Sequence, residues 1–123
     1  MKEVSYIHAE AYPGGELKHG SIALIEPSFP TFVLASDPDM LSKNISNMTE
    51  IKARQGQVIA LGIEGFSFPR DLCDDVFYLP KVHEAILPII TVLPLQLFAY
   101  YAALERGCDV DKPRNLAKAV TVE

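Results

Sequence analysis

The segment Ala85 to Leu104, AILPIITVLPLQLFAYYAAL, decides the fold. Thr91 and Gln96 are its only plainly polar residues, so a helix here is apolar on nearly every face and needs cover on nearly every face. Its length also suits a membrane span. Pro88, Pro94 and Gln96 argue against a span, as do flanks typical of a layered α/β protein. The pattern therefore favours a buried core helix.

Composition limits the class of protein. The chain has 123 residues, 49% of them hydrophobic, which suits one domain with a modest core. A net charge of -5 with 11 scattered Lys and Arg residues argues against a nucleic-acid partner. Cys73 and Cys108 lack CxxC spacing, so free thiols in a reducing cytosol are predicted. Met1 to Tyr12 lacks the pattern of a signal peptide.

Apolar runs and helical spacing alternate through the middle of the chain. Asp37 and Pro38 provide a helix cap and a first-turn proline, and Gly56 provides the stop. The predicted elements are strands at Thr31 to Ser36, Gln57 to Ile63 and Asp75 to Leu79, and a helix at Pro38 to Arg54. Alternating strands and helices imply parallel pairing. The predicted fold class is therefore α/β, a small three-layer sandwich with a short parallel sheet and helices on both faces, its strands buried on both sides.

The two ends of the chain have different signals. Val4, Ile7 and Ala11 fall at helical spacing, which predicts a first helix that ends at Pro13. No strand precedes this helix, so the fold is expected to lack a strand. Ser21 to Glu26 is compatible with either a turn or a strand. Near the other end, Gly107 follows the long apolar helix where a left-handed residue is expected.

Taken one at a time, few of the polar residues indicate a catalytic or binding role. His8-Ala9-Glu10 has the HxE spacing of zinc deaminases, but no PCxxC follows, so a surface histidine is favoured and no metal or cofactor is predicted. His19 lies in a glycine-bounded loop beside Lys18, where an ordinary loop histidine is the favoured interpretation. Glu3 is by default a solvated charge.

The C-terminal residues do not have the pattern of an ordinary loose terminus. Its apolar residues could dock and carry Lys118 to a fixed place; otherwise the segment is a loose terminus. A lysine amine with a pKa depressed by burial can form a Schiff base with a sugar carbonyl.

Two long segments carry a family resemblance. They are KEVSYIHAEAYPGGELKHGSIALI and LPLQLFAYYAALERGCDVDKPRNLAKAVTVE. With them the chain resembles the last part of the glutamine–fructose-6-phosphate aminotransferase (isomerising) family, within its second sugar isomerase (SIS) domain. The resemblance implies a flavodoxin-like SIS domain without its first strand over residues 1–108, and a tail at 109–123 that closes over the sugar. The absence of an N-terminal strand, expected above from the sequence pattern, is therefore also what the resemblance implies.

The resemblance also implies a reaction and its residues. The family makes glucosamine 6-phosphate from fructose 6-phosphate and ammonia released from glutamine elsewhere in the protein. By this resemblance Glu3, in KEVSYIHAEAY, matches the isomerisation base. His19, in GELKHG, matches a ring-opening histidine that reaches in from the neighbouring subunit of a homodimer. Lys118, in RNLAKAVTVE, matches the imine-forming lysine. The first SIS domain, the glutaminase domain and a cytoplasmic location are implied as well.

Departures from the family pattern leave alternatives open. Pro13-Gly14 stands where Ala-Ala is usual and could end the first helix early, and Ala119 replaces a common Ser. The Ser/Thr-rich loop that grips the sugar phosphate in the family's first SIS domain has no counterpart here. The chain is therefore expected to be incomplete as a catalyst. A stand-alone SIS-like module that binds or regulates is the second interpretation, and a deglycase acting on phosphorylated amino sugars is the third.

Overall fold

A parallel sheet is the centre of the fold. The computed structural model describes residues 1–115. Its helices and strands are α1 (Lys2–Ser5), β1 (Pro30–Ala35), α2 (Leu41–Lys52), β2 (Gln57–Ile63), β3 (Asp75–Leu79) and α3 (Leu87–Glu105). The chain divides into two compact units, one joining Met1–Ala11 to the chain from Val92 onward and the other comprising Tyr12–Thr91.

The three strands pair in the order β1-β2-β3, all parallel. Val33 pairs with Ala60, and Ala60 pairs in turn with Val76. All three predicted strands and their parallel pairing are confirmed to within one residue at each end. The core of this unit consists of buried side chains from the sheet and α2, namely Ala35, Met48, Ile51, Val58 and Ala60.

Burial of the strands differs from the prediction. The central strand β2 is buried over most of its length, as predicted. The outer strands are not buried on both sides, because Leu34 is 46% exposed and Phe77 is 53% exposed. The prediction of burial on both sides is therefore wrong for β1 and β3 in the described chain, because no described element fully covers the faces on which Leu34 and Phe77 lie.

The predicted helix from Pro38 is confirmed, with a different start and stop. A 3₁₀ turn at Pro38–Met40 precedes α2, and the Asp37 carboxylate accepts a hydrogen bond from the Asp39 N–H at 2.9 Å. The left-handed residue that ends the helix is Gln55, with φ 63°. Gly56 is instead needed for close packing, because a Cβ there would lie 2.5 Å from a methyl group of Ile25.

The first helix is shorter than predicted. The spacing of apolar residues predicted a helix as far as Pro13, but α1 ends at Ser5, so that prediction is wrong. Tyr6 follows with φ 57° and ψ 23°, and its N–H donates to the Lys2 carbonyl at 3.1 Å. Such a left-handed residue stops a helix, and for a residue with a Cβ it costs roughly 1–2 kcal/mol. Tertiary contacts must therefore stabilise this end of α1.

Two 3₁₀ turns follow α1. Gly14–His19 forms the first and Ser21–Leu24 the second. The segment from Ser21, which the sequence left open, is thus a turn and not a strand. Leu17 packs against the core, and the Lys18 ammonium pairs with the Glu50 carboxylate of α2. These two contacts anchor the first turn.

The long apolar segment forms one helix, α3, which continues through Pro94. It ends as predicted: Gly107 has φ 68°, and the N–H groups of Gly107 and Cys108 donate to the carbonyls of Leu104 and Ala103 at 2.8 and 2.9 Å. This is the Schellman arrangement that satisfies otherwise unpaired carbonyls.

The prediction that α3 is covered on nearly every face is wrong for the described chain. Thr91 and Ala103 are buried. Ile89, Leu97 and Tyr101 are 61%, 55% and 60% exposed. Within residues 1–115, the segment Glu84–Glu105 is long and apolar enough to cross a membrane by length and composition, a test that core helices of soluble proteins also pass. The described chain therefore covers only one side of α3.

Candidate functional site

Helix α1 holds Glu3 at the surface. Ser5 is fully buried, and its hydroxyl donates to the Met1 carbonyl at 2.8 Å. This buried residue sets which side of the short helix faces inward. Glu3 is exposed. Its carboxylate is therefore open to a ligand, and not part of the interior.

A shallow pocket of about 210 Å³ lies beside Glu3 and is lined by Lys2, Glu3, Tyr6 and Asn115. It combines a carboxylate, an ammonium group, a phenol and an amide. Pockets that enclose a drug-sized ligand usually measure roughly 300–1,000 Å³. The arrangement can present a carboxylate beside a positive charge, and its size suits part of a larger site.

Tyr6, which lines the pocket, contacts Arg114, a distant residue that sequence reasoning did not select. The Tyr6 hydroxyl oxygen accepts a hydrogen bond from the Arg114 backbone N–H at 2.7 Å. The guanidinium carbon of Arg114 lies 4.1 Å from the centre of the Tyr6 ring. A cation in this position is attracted by the negative face of the ring. No local motif signals this pair, since 108 residues separate its members.

His19 ends the 3₁₀ turn Gly14–His19 and is exposed. It belongs to the Tyr12–Thr91 unit, whereas Glu3 belongs to the other unit. His19 is not among the residues that line the Glu3 pocket. The structure thus presents His19 to solvent on an anchored turn.

Lys118 lies outside the described residues, which end at Asn115. Its assignment as the imine-forming lysine therefore stays a prediction.

The HxE pair is a surface contact. His8 Nε2 lies 3.5 Å from Glu10 Oε1, and the His8 side chain is 79% exposed. Among residues 1–115 there is no group of three or more His, Cys, Asp or Glu side chains that could hold a metal ion.

A separate electrostatic cluster lies where α2 ends and β2 begins. The Asp74 carboxylate accepts hydrogen bonds from the Val58 N–H at 2.7 Å and from the Lys52 ammonium at 2.9 Å. These two donors, the Val58 N–H first, lower the pKa of Asp74 below 3.8. Burial and the neighbouring Asp74 charge raise the pKa of the Cys73 thiol. Cys73 and Cys108 are both free, as predicted, and the raised pKa makes Cys73 a weaker nucleophile.

Comparison with known proteins places this chain in a class of domains. The SIS domain family matches residues 1–106, and a solved structure shares the fold. The chain belongs to the SIS domain family.

Within that class the chain is similar to one kind of enzyme. It is 53% identical over 123 residues to the glutamine–fructose-6-phosphate aminotransferase (isomerizing) of Caldanaerobacter subterraneus. It is 54% identical over 123 residues to the protein of the same name in Thermus thermophilus. Each match covers 100% of this chain and 20% of the relative. The chain therefore spans about one fifth of the length of these curated relatives.

The solved structure is described as the C-terminal domain of glucosamine-fructose-6-phosphate aminotransferase from Francisella tularensis. It aligns with a TM-score of 0.80 and 39% sequence identity, covering 89% of this chain and 31% of that chain. The resemblance drawn from the two end segments, and the SIS fold that it implied, are both confirmed.

Proposed function

We propose that this chain acts as the C-terminal isomerase domain of a glutamine–fructose-6-phosphate aminotransferase. It would carry out the ketose-to-aldose half of glucosamine 6-phosphate synthesis, in which a proton moves between C2 and C1 of the open-chain sugar. The observation that carries the proposal is the identity of more than half of the residues to such enzymes along all 123 residues.

Glu3 is the proposed general base. Its carboxylate is exposed and borders a pocket shared with the Lys2 ammonium. An exposed carboxylate beside a cation can accept a proton from a sugar carbon next to a carbonyl, while the cation favours the negative charge that develops on the sugar oxygen. Among residues 1–115, Glu3 is the one carboxylate that lines the pocket, so we assign this proton transfer to Glu3.

His19 and Lys118 are the other proposed catalytic residues. The exposure of His19 on an anchored turn suits a group that serves the site of a neighbouring subunit, where it would transfer a proton during ring opening. The Lys118 amine would add to the open-chain carbonyl and release water, which forms an imine. Protonation of that imine makes the adjacent carbon more acidic, so Lys118 would assist the base.

The proposed partners follow from this role. They are fructose 6-phosphate and its product glucosamine 6-phosphate, the first SIS domain and the glutaminase domain of the synthase, and a second copy of the protein in a homodimer. The proposed location is the cytoplasm. A net charge of -5 supports a partner list without nucleic acid, and we propose no membrane partner.

A complete synthase that carries this chain tests the assignment. Such a protein can be made by joining the chain to the preceding part of the Thermus thermophilus relative, in place of the 54% identical segment. We expect Glu3→Gln and Lys118→Arg each to reduce glucosamine 6-phosphate formation at least about 100-fold, while glutamate release from glutamine continues. Product assay and glutamate assay on the same samples separate the two activities.

Matched substitutions at other positions serve as controls. Glu16→Gln and Lys112→Arg make the same chemical changes at exposed positions and should leave product formation within about twofold of the unsubstituted protein. Retained synthesis in Lys118→Arg would remove the imine from the mechanism. Retained synthesis in Glu3→Gln would remove the base.

A further inference from the structure

His19 ends a 3₁₀ turn that is longer than most. The turn runs over six residues, Gly14–His19, and we call it the His19 turn. Runs beyond about three or four residues are uncommon, because 3₁₀ hydrogen bonds have poorer geometry than those of an α-helix. Gly14 and Gly15 at its start also lose much conformational freedom when the turn forms. Contacts with the rest of the fold must therefore stabilise it.

These contacts lie on one side of α2. Asn47 and Glu50 are three residues apart in α2, so they are neighbours on its surface, and both are partly covered. A Cβ on Gly14 would lie 2.7 Å from Nδ2 of Asn47, so the turn begins against Asn47. Near its other end, the Lys18 ammonium pairs with the Glu50 carboxylate. Helix α2 thereby holds the His19 turn at both ends, within one compact unit.

The last three side chains of the turn point in different directions. A 3₁₀ helix has three residues per turn, so successive side chains are about 120° apart. Leu17 packs against the core, and Lys18 reaches Glu50. His19 takes the remaining direction and is exposed. The position of its imidazole therefore depends on how the turn is held, and not on packing around the ring.

We propose that Glu50 is a positioning residue, which fixes the His19 turn through Lys18 and so sets where the imidazole is presented. This inference rests on the proposed function, in which His19 transfers a proton during ring opening at the site of a neighbouring subunit. A proton-transfer group must lie within hydrogen-bond reach of the group that it serves. Glu50 acts without contacting the sugar, because it limits the positions that His19 can occupy.

The expected effect is small, because both side chains of the ion pair are partly exposed. Lys18 is 53% exposed and Glu50 is 30% exposed. Ion pairs of this kind contribute little free energy, so loss of the pair should loosen the turn about threefold without unfolding the domain.

Asp74 provides a matched control for this ion pair. Its carboxylate pairs with Lys52, which is also in α2. Asp74→Asn therefore removes a comparable ion pair from the same helix and leaves every contact of the His19 turn in place.

Hydrogen exchange in the full 123-residue chain tests the geometry. Glu50→Gln removes the charge of the carboxylate, and Lys18→Met removes the ammonium group. We expect the amides of residues 13–20 to exchange about threefold faster in each variant, measured by mass spectrometry relative to residues 95–105 of α3. Asp74→Asn should leave this ratio unchanged. An unchanged ratio in Glu50→Gln overturns the inference, whatever the chemistry of the sugar site.

The catalytic consequence is tested in the complete synthase that carries this chain. We expect Glu50→Gln to lower kcat for glucosamine 6-phosphate formation about threefold, with KM for fructose 6-phosphate and glutamine hydrolysis unchanged. Lys18→Met should have the same effect, whereas Lys18→Arg, which keeps the cation, should retain most of the activity. Asp74→Asn should change neither kcat nor KM.

A double substitution shows whether Glu50 acts through His19. His19→Gln should itself lower kcat about 100-fold. If Glu50 only positions His19, Glu50→Gln should cause no further loss in the His19→Gln protein. An equal loss with and without His19 would mean that Glu50 affects the site by another route, and the inference would be wrong.

The outcomes separate this inference from the proposed function. If His19→Gln leaves synthesis unchanged, the proposed role of His19 and the positioning role of Glu50 are both wrong. If His19→Gln lowers kcat but Glu50→Gln does not, only the inference is wrong, and the proposed function stands.

Discussion

Asp74 joins three elements through one carboxylate. It precedes β3, accepts from the Val58 N–H of β2 and pairs with the Lys52 ammonium at the end of α2. Because these donors hold its folded pKa below 3.8, the charged form stabilises the folded state. That contribution is present above the unfolded pKa and is lost as the pH falls through the folded pKa.

We therefore predict that the free energy of unfolding of Asp74→Asn falls less steeply than that of the unsubstituted chain as the pH is lowered. The side chain is 42% exposed, so water screens the interaction and the loss at neutral pH should be only about 1 kcal/mol. Urea unfolding at a series of pH values from about 7 to about 3 measures this. Asp75→Asn removes a neighbouring carboxylate as the control, and identical pH profiles for the two variants would contradict the assignment.

Helix α3 has two apolar sides, of which the described chain covers one. Exposed residues Ile89, Leu93, Leu97 and Tyr101 are spaced by four and thus share one side. An exposed apolar surface of this kind usually marks a contact with another protein surface. We predict that the dye ANS binds the isolated chain at this side of α3.

Substitution and assembly test that prediction separately. Ile89→Gln with Leu97→Gln should reduce ANS fluorescence by about half, whereas Leu24→Gln, which changes a 64% exposed leucine outside α3, should not. The complete synthase should bind less dye per chain than the isolated chain does. Equal dye binding by the double variant and the unsubstituted chain would place the dye elsewhere.

If the proposed function holds, the residues that the structure describes supply only part of a sugar-phosphate site. The pocket at Glu3 is small, and within the described part of the chain one cation, Lys2, lines it. Phosphate is usually bound by several backbone N–H groups or by hydroxyl-rich loops. We predict that calorimetric titration of the isolated chain with fructose 6-phosphate near neutral pH shows no binding at about 1 mM, whereas the complete synthase does bind the sugar.

Binding by the isolated chain would contradict this view, since the phosphate would then be held by the 123 residues themselves. Glucose 6-phosphate and inorganic phosphate serve as ligand controls. Heat with inorganic phosphate alone would identify a general anion site instead of a sugar site.

Local patterns in the sequence were enough to predict the strands, α2 and the end of α3. The apolar runs that became β1, β2 and β3 are short and bounded by turn residues, and such runs have few other ways to bury their side chains. Asp37 and Gly107 act within one helical turn of their own positions. The resemblance at the two ends of the chain likewise identified Glu3 and His19 as candidates, because a motif is itself local.

Only the tertiary structure decided where α1 ends, what Gly56 is for and how much of α3 is covered. Each depends on groups far away in the sequence: Arg114 for Tyr6, and Ile25 for Gly56. The periodicity of α3 shows that both of its sides are apolar, but it does not show whether residues of this chain cover them. The cover of α3 and the contacts of Tyr6 and Gly56 are properties of the assembled chain, which is why no local pattern predicted them.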